Sequence, residues 1–172
     1  MSEHDAIPLA QPVIGEREQE LVAEALSSRR LSLGPMVERF EREFAERVGV
    51  RRAVACSSGT AGLHMCLHAL GIGPGDEVIT SSFSFVASAN AILFTGATPV
   101  FAEVDPQTFN MDPAAVEAAI TPRTRAILIV DIFGYPAEVP ALVDIARRHG
   151  LGLVEDACQT IDGDYDGRKL GT

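Results

Sequence analysis

Residues 124–131, TRAILIVD, set five apolar side chains in a row between a Thr-Arg pair and an aspartate. A run this short and this apolar reads as a strand covered on both faces, and strands of that kind belong to parallel sheets whose crossovers are helices. The chain supplies such crossovers on either side. MVERFEREFAERVGV has Val37, Phe40, Phe44 and Val48 on one helical face. SGTAGLHMCLHALG opens on capping residues and runs to Gly71. SFVASANAILFTG ends at Gly96, DPAAVEAAIT starts on Asp112 and Pro113, and VPALVDIARRHG ends in basic residues and a glycine.

Strands are expected at AVACS (53–57), in IGPGDEVITS, in TPVFAEVD, in TRAILIVD and in LGLVEDA. Five strands with intervening helices make right-handed βαβ units. The fold class expected is therefore α/β, three αβα layers on a mostly parallel sheet. DYDGRKLGT reads as a turn or hairpin. REQELVAEALSS is helical, with Leu21, Val22, Ala25 and Leu26 on one face, and residues 1 to about 35 read as an arm and helix outside the βα core.

Composition narrows the function. The 172 residues carry a net charge of −10, which disfavours a nucleic-acid partner, because phosphate neutralisation needs clustered cations. MSEHDAIPLAQP has no apolar signal core, and no apolar run is long enough to span a bilayer. Cys56, Cys66 and Cys158 are odd in number and read as reduced, buried thiols of a cytoplasmic protein. His64 and His68 flank Cys66 at i, i+4, but no carboxylate completes a metal motif, so no metal site is expected.

Ligands of open α/β sheets bind beyond the carboxyl ends of the strands. Three stretches fall there. In CSSGTAGL, Gly59 and Thr60 open a helix, so their amides can take an anion; an ordinary Ser/Thr cap is the alternative. In SSFSFVAS, Phe85 can stack on a flat ligand or belong to the core. In VEDACQT, Asp156 ends an apolar strand and needs a cation or donors, unless it only caps the next segment. An anion site, a ring platform and a carboxylate for a ring cation together describe pyridoxal 5′-phosphate, whose pyridine nitrogen needs an acidic partner.

The chain resembles the DegT/DnrJ/EryC1/StrS family of sugar aminotransferases, a fold type I branch of the enzymes dependent on pyridoxal phosphate. IPLAQPVIGEREQELV, the stretch from LSLGP to GDEVI, SFVASANAILFTGATPVFAEVD, IFGYPAEVPAL and VEDACQTIDGDYDGRKLGT carry the resemblance in register. It implies that residues 36–172 are part of the cofactor-binding large domain. It implies that Gly59 and Thr60 hold the phosphate, Phe85 covers the ring, Asp156 pairs with the pyridine nitrogen and Gln159 lies by the phenolic oxygen, with Ser88 a neighbour. It further implies amino transfer from an amino acid, usually glutamate, to a keto sugar nucleotide, in a homodimer. Asp131 departs from the pattern, since many members carry histidine there.

The family's Schiff-base lysine lies downstream of the Asp156 motif, so it is expected beyond Thr172 and the chain as given is expected to be inactive. Lys169, the single lysine, falls in a turn-like segment and not at that position. The resemblance also implies that the neighbour of strand 53–57 forms late in the chain, leaving that strand unpaired and the 172-residue piece marginally stable. A sugar dehydratase of the same family, with histidine for the lysine, and a non-catalytic cofactor-binding or dimer-forming remnant are the competing readings.

Overall fold

The computed structural model describes residues 11–172; the first ten residues of the expected arm lie outside the described residues. Helix α1 (Glu16–Ser27) and helix α2 (Pro35–Val48) come first. The core follows as α3 (Gly59–Ala69), β1 (Glu77–Ser81), α4 (Ala87–Phe94), β2 (Thr98–Ala102), α5 (Pro113–Ala118), β3 (Thr124–Val130), α6 (Val139–His149) and β4 (Gly152–Asp156). A hairpin of β5 (Asp164–Tyr165) and β6 (Arg168–Lys169) closes the order.

The four long strands form one parallel sheet in the order β2-β1-β3-β4. Two buried clusters sandwich it. On one face Ala126, Leu128, Val130 and Val154 meet Leu63 and Leu67 of α3 and Ala91 and Ile92 of α4. On the other, Ile127 and Ile129 meet Val116 of α5 and Leu142 and Ile145 of α6. The alternation of adjacent β3 residues between two covered faces is what the unbroken apolar run requires, because strand side chains point to opposite sides in turn.

Local chemistry sets the helix ends. Asp112 accepts the Ala114 amide at 2.9 Å and Pro113 follows it at the first turn of α5. Gly49 and Gly150 end α2 and α6 in the left-handed conformation, where a Cβ is penalised.

Two expectations are corrected. Residues 53–57 are extended but bond to no strand among the described residues, and Val54 is 75% exposed. A strand exists only with a ladder partner. Here the Ala55 amide instead donates to Glu41 Oε1 at 2.8 Å, so the sheet has four strands and not five. The cysteines are free as expected, but all three are exposed and not buried. The apolar faces of α1 and α2 are also less covered than their periodicity suggested: Val22, Leu26 and Phe40 are each more than half exposed.

Candidate functional site

The carboxyl ends of β1, β3 and β4 converge on the N-terminus of α3. A cavity of about 230 Å³ opens there, lined by Gly59, Thr60, Phe85, Asp156, Cys158 and Gln159 among others. Ser88, buried at the start of α4, reaches the same place from beneath. Five of the six residues singled out from the sequence therefore line one space, and the sixth, Ser88, touches it only through Asp156.

Each is placed by its element. Ser58 caps α3, its hydroxyl accepting the Ala61 amide at 3.2 Å. The capping reading of this turn is thus correct, and it leaves the amides of Gly59 and Thr60 at the helix start, ahead of any intrahelical acceptor. Their positive end of the helix dipole favours an anion in the cavity. A Cβ at Gly59 would lie 2.7 Å from Cys158 Sγ, so the sulfur or the helix start would have to shift.

Asp156 is the last residue of β4 and 9% exposed. Its Oδ2 accepts the Ser88 hydroxyl at 3.2 Å, and its Oδ1 accepts the Cys158 amide at 3.3 Å. Ser88 in turn lies 2.9 Å from Ser84 Oγ. No salt bridge to Asp156 forms among the described residues, so a covered carboxylate faces the cavity with neutral donors alone. Such a group is ready for a cationic ligand.

Gln159 is exposed, and its Oε1 accepts the Phe133 amide at 2.6 Å. That bond spends the amide oxygen and leaves the NH2 as a donor. Phe85 is 71% exposed at the mouth of the cavity, which rules out the core reading for its ring. Cys158 belongs to an exposed residue, yet its sulfur is tucked against Gly59. Burial pushes its thiol up to about 11, with the bond to the Asp156 carboxylate adding to the effect. A thiol held protonated is a poor nucleophile.

Sequence reasoning passed over Ser84 and Cys158. Ser84 could have been found, because it stands four residues before Ser88. Cys158 meets Gly59 only through the fold. Phe83, Phe109 and Phe133 form a further half-open group beside the site, with ring centroids 5.5 and 6.0 Å apart. Among the described residues no set of three or more His, Cys, Asp or Glu could hold a metal, and no helix is long and apolar enough to cross a membrane.

Comparison with known proteins agrees with this geometry. The chain is 48% identical over 166 residues to the spore coat polysaccharide biosynthesis protein SpsC of Bacillus subtilis, covering 96% of this chain and 43% of that protein. It is 43% identical to the GDP-perosamine synthase of Caulobacter vibrioides, covering 100% of this chain and 47% of the synthase. Among solved structures, the PLP-form of Spr1654 from Streptococcus pneumoniae superposes with a TM-score of 0.87 at 30% identity, over 95% of this chain and 45% of that one. The chain spans somewhat less than half the length of these relatives. Residues 12–172 match the profile of the DegT/DnrJ/EryC1/StrS aminotransferase family, and the chain belongs to that family.

Proposed function

We propose that this chain forms the cofactor-holding part of a pyridoxal 5′-phosphate-dependent aminotransferase that acts on keto sugar nucleotides, with an amino acid such as glutamate as donor. The observation that carries the reading is the pairing of a helix start cleared by Gly59 with a covered carboxylate, Asp156, across one cavity. Those two groups ask for a ligand that is anionic at one end and cationic in its ring, and the residues present fit that cofactor.

On this reading the amides of Gly59 and Thr60 receive the phosphate. Asp156, held by Ser88 and the Cys158 amide, keeps a proton on the pyridine nitrogen. Phe85 covers one face of the ring and excludes water from it. The free NH2 of Gln159 donates to the phenolic oxygen. The bound ring supplies an electron sink. Sugar nucleotide as substrate class is supported by the name of the perosamine synthase relative, and polysaccharide synthesis by that of SpsC. A cytoplasmic homodimer, and a division into an N-terminal arm with helix at 1–35 and a large domain from 36, complete the proposal.

Equilibrium dialysis of pyridoxal 5′-phosphate against the chain and its Asp156→Asn variant tests this. A hydrogen bond to a charged group is worth about 1.5–3 kcal/mol, so the variant should bind roughly 10–100-fold more weakly. Equal affinity in the two proteins would remove Asp156 from the site.

A further inference from the structure

On the sheet face opposite the candidate site, two carboxyl groups meet. Asp131 follows the end of β3 and is fully buried. Glu155 lies on β4, in register with Ile129 and so on the same face as Asp131 two residues later. Asp131 Oδ1 accepts the Ala137 amide at 2.9 Å. Asp131 Oδ2 and Glu155 Oε1 are both covered, and neither has a hydrogen-bond partner. Two orphaned acceptors side by side are costly, and a buried polar atom without a partner calls for an explanation.

We infer that Glu155 is a neutral carboxylic acid in the folded protein and donates its proton from Oε1 to Oδ2 of Asp131, so that one shared proton ties the end of β3 to β4. This satisfies both orphaned atoms at once and replaces a repulsion with a charge-assisted bond. It does not depend on which ligand the candidate site takes.

Cations stand nearby, but none bonds either carboxyl among the described residues. Arg168, Lys169 and Tyr165 of the hairpin line a cavity of about 340 Å³ with Glu155, but α6 contributes only Val139, Pro140 and Val143 to it. Arg47 and Cys158 share a second cavity with Glu155 and Asp162, and Cys66 shares a third. Arg47 is committed to Asp162 at 2.8 Å, and Lys169 Nζ donates to the Asp162 carbonyl at 3.0 Å. Neither Asp131 nor Glu155 forms a salt bridge among the described residues. Asp156, the other carboxylate nearby, points to the opposite face. Burial first, and then the bond and charge of Asp131, push the Glu155 carboxyl up to about 7, against a smaller opposing pull from the Gly171 amide.

The pair bears on the site through the backbone. The Asp131 amide donates to the Asp156 carbonyl at 3.2 Å. Residues 131–137 form the loop whose Phe133 amide holds Gln159. Loss of the proton sets two carboxylates against each other at the root of that loop. A folded-state pKa above the ordinary value of 4.5 gives stability that is fully present below about 4.5 and lost as pH rises through about 7.

Thermal unfolding of the 172-residue chain and of its Glu155→Gln variant, at about pH 5 and about pH 8, reads this out. The Gln NH2 donates to Asp131 without needing a titrating proton. The wild-type midpoint should therefore fall between the two pH values by more than the variant's; parallel changes would overturn the inference. Carboxyl ¹³C titration of the wild type is independent of any variant. One carboxyl should titrate near 7 and assign to Glu155, and should move down in Asp131→Asn, whose amide can donate. Ordinary titration of every carboxyl would equally overturn it.

Discussion

Ser88 Oγ donates to Asp156 Oδ2 at 3.2 Å, joining α4 to the end of β4 across 68 positions of sequence. The bond fixes the rotamer of a covered carboxylate from the side away from the cavity. Ser84 extends the chain of hydroxyls by one more step. Asp156 is therefore aimed before any ligand arrives, and pre-organisation of that kind lowers the cost of binding.

Ser88→Ala should leave the fold intact but release Asp156. One net hydrogen bond is worth about 0.5–1.5 kcal/mol, so affinity for pyridoxal 5′-phosphate should fall roughly 2–10-fold, less than for Asp156→Asn. Equilibrium dialysis of the two variants side by side checks the order. A larger loss in Ser88→Ala than in Asp156→Asn would mean that the serine, and not the carboxylate, meets the ligand.

Gly59 and Cys158 form the second pair at the cavity. A Cβ at position 59 would stand 2.7 Å from Cys158 Sγ. Gly59→Ala should displace either the sulfur or the helix start, and so weaken phosphate binding. Cys158→Ala removes the obstacle, so Gly59→Ala/Cys158→Ala should recover most of the lost affinity. In a double-mutant cycle the two changes should couple by about 0.5–3 kcal/mol. Additive effects would show that the glycine is needed for another reason.

Much of this architecture was legible because it is local. The caps at Ser58 and Asp112, the glycines that end α2 and α6, and the apolar run of β3 each state their own structure. That five of the candidate residues line one cavity was legible because βα topology sends strand ends to one edge. What failed was non-local. Residues 53–57 have a strand-like composition, and only the resemblance, which places the neighbouring strand late in the chain, announced that they would lack a ladder partner. The contact of Cys158 with Gly59 and the pairing of Asp131 with Glu155 each join distant segments, so no spacing in the chain announces them. Asp131 stood out only as a departure from the pattern the resemblance implies.

Glu77 gives the acid side of the stability profile. It starts β1 and is buried at 6% exposure, accepting from the Thr121 hydroxyl and from Arg123. The bond from Thr121 first, and then Arg123, hold its carboxyl below the usual value of 4.5, against the opposing effect of burial. A lowered folded-state pKa gives stability that is present above about 4.5 and lost as pH falls through the folded value. Glu77→Gln should accordingly cost stability at neutral pH and little in strong acid. Urea unfolding midpoints across the acid range should converge for the two proteins, and a constant gap would exclude the ionised pair as the cause.

Lys169 is the single lysine of the chain and the obvious place to look for a covalent link to an aldehyde cofactor. Its surroundings assign it elsewhere. It sits on β6, its Nζ donates to the Asp162 carbonyl at 3.0 Å, and Asp162 also binds Arg47 of α2. The amine thus helps fasten the hairpin to α2, and Lys169 does not line the cavity of Gly59 and Asp156. A nucleophile must be placed against its target as well as possess the right group. Lys169→Met should loosen the hairpin, seen as faster amide exchange at residues 164–169, while leaving affinity for pyridoxal 5′-phosphate within roughly twofold, a change of under about 0.5 kcal/mol. Borohydride reduction of the chain with the cofactor, followed by peptide mass mapping, should leave Lys169 no more labelled than a free surface amine. Stoichiometric labelling of Lys169 that Asp156→Asn abolishes would instead place its amine in the site.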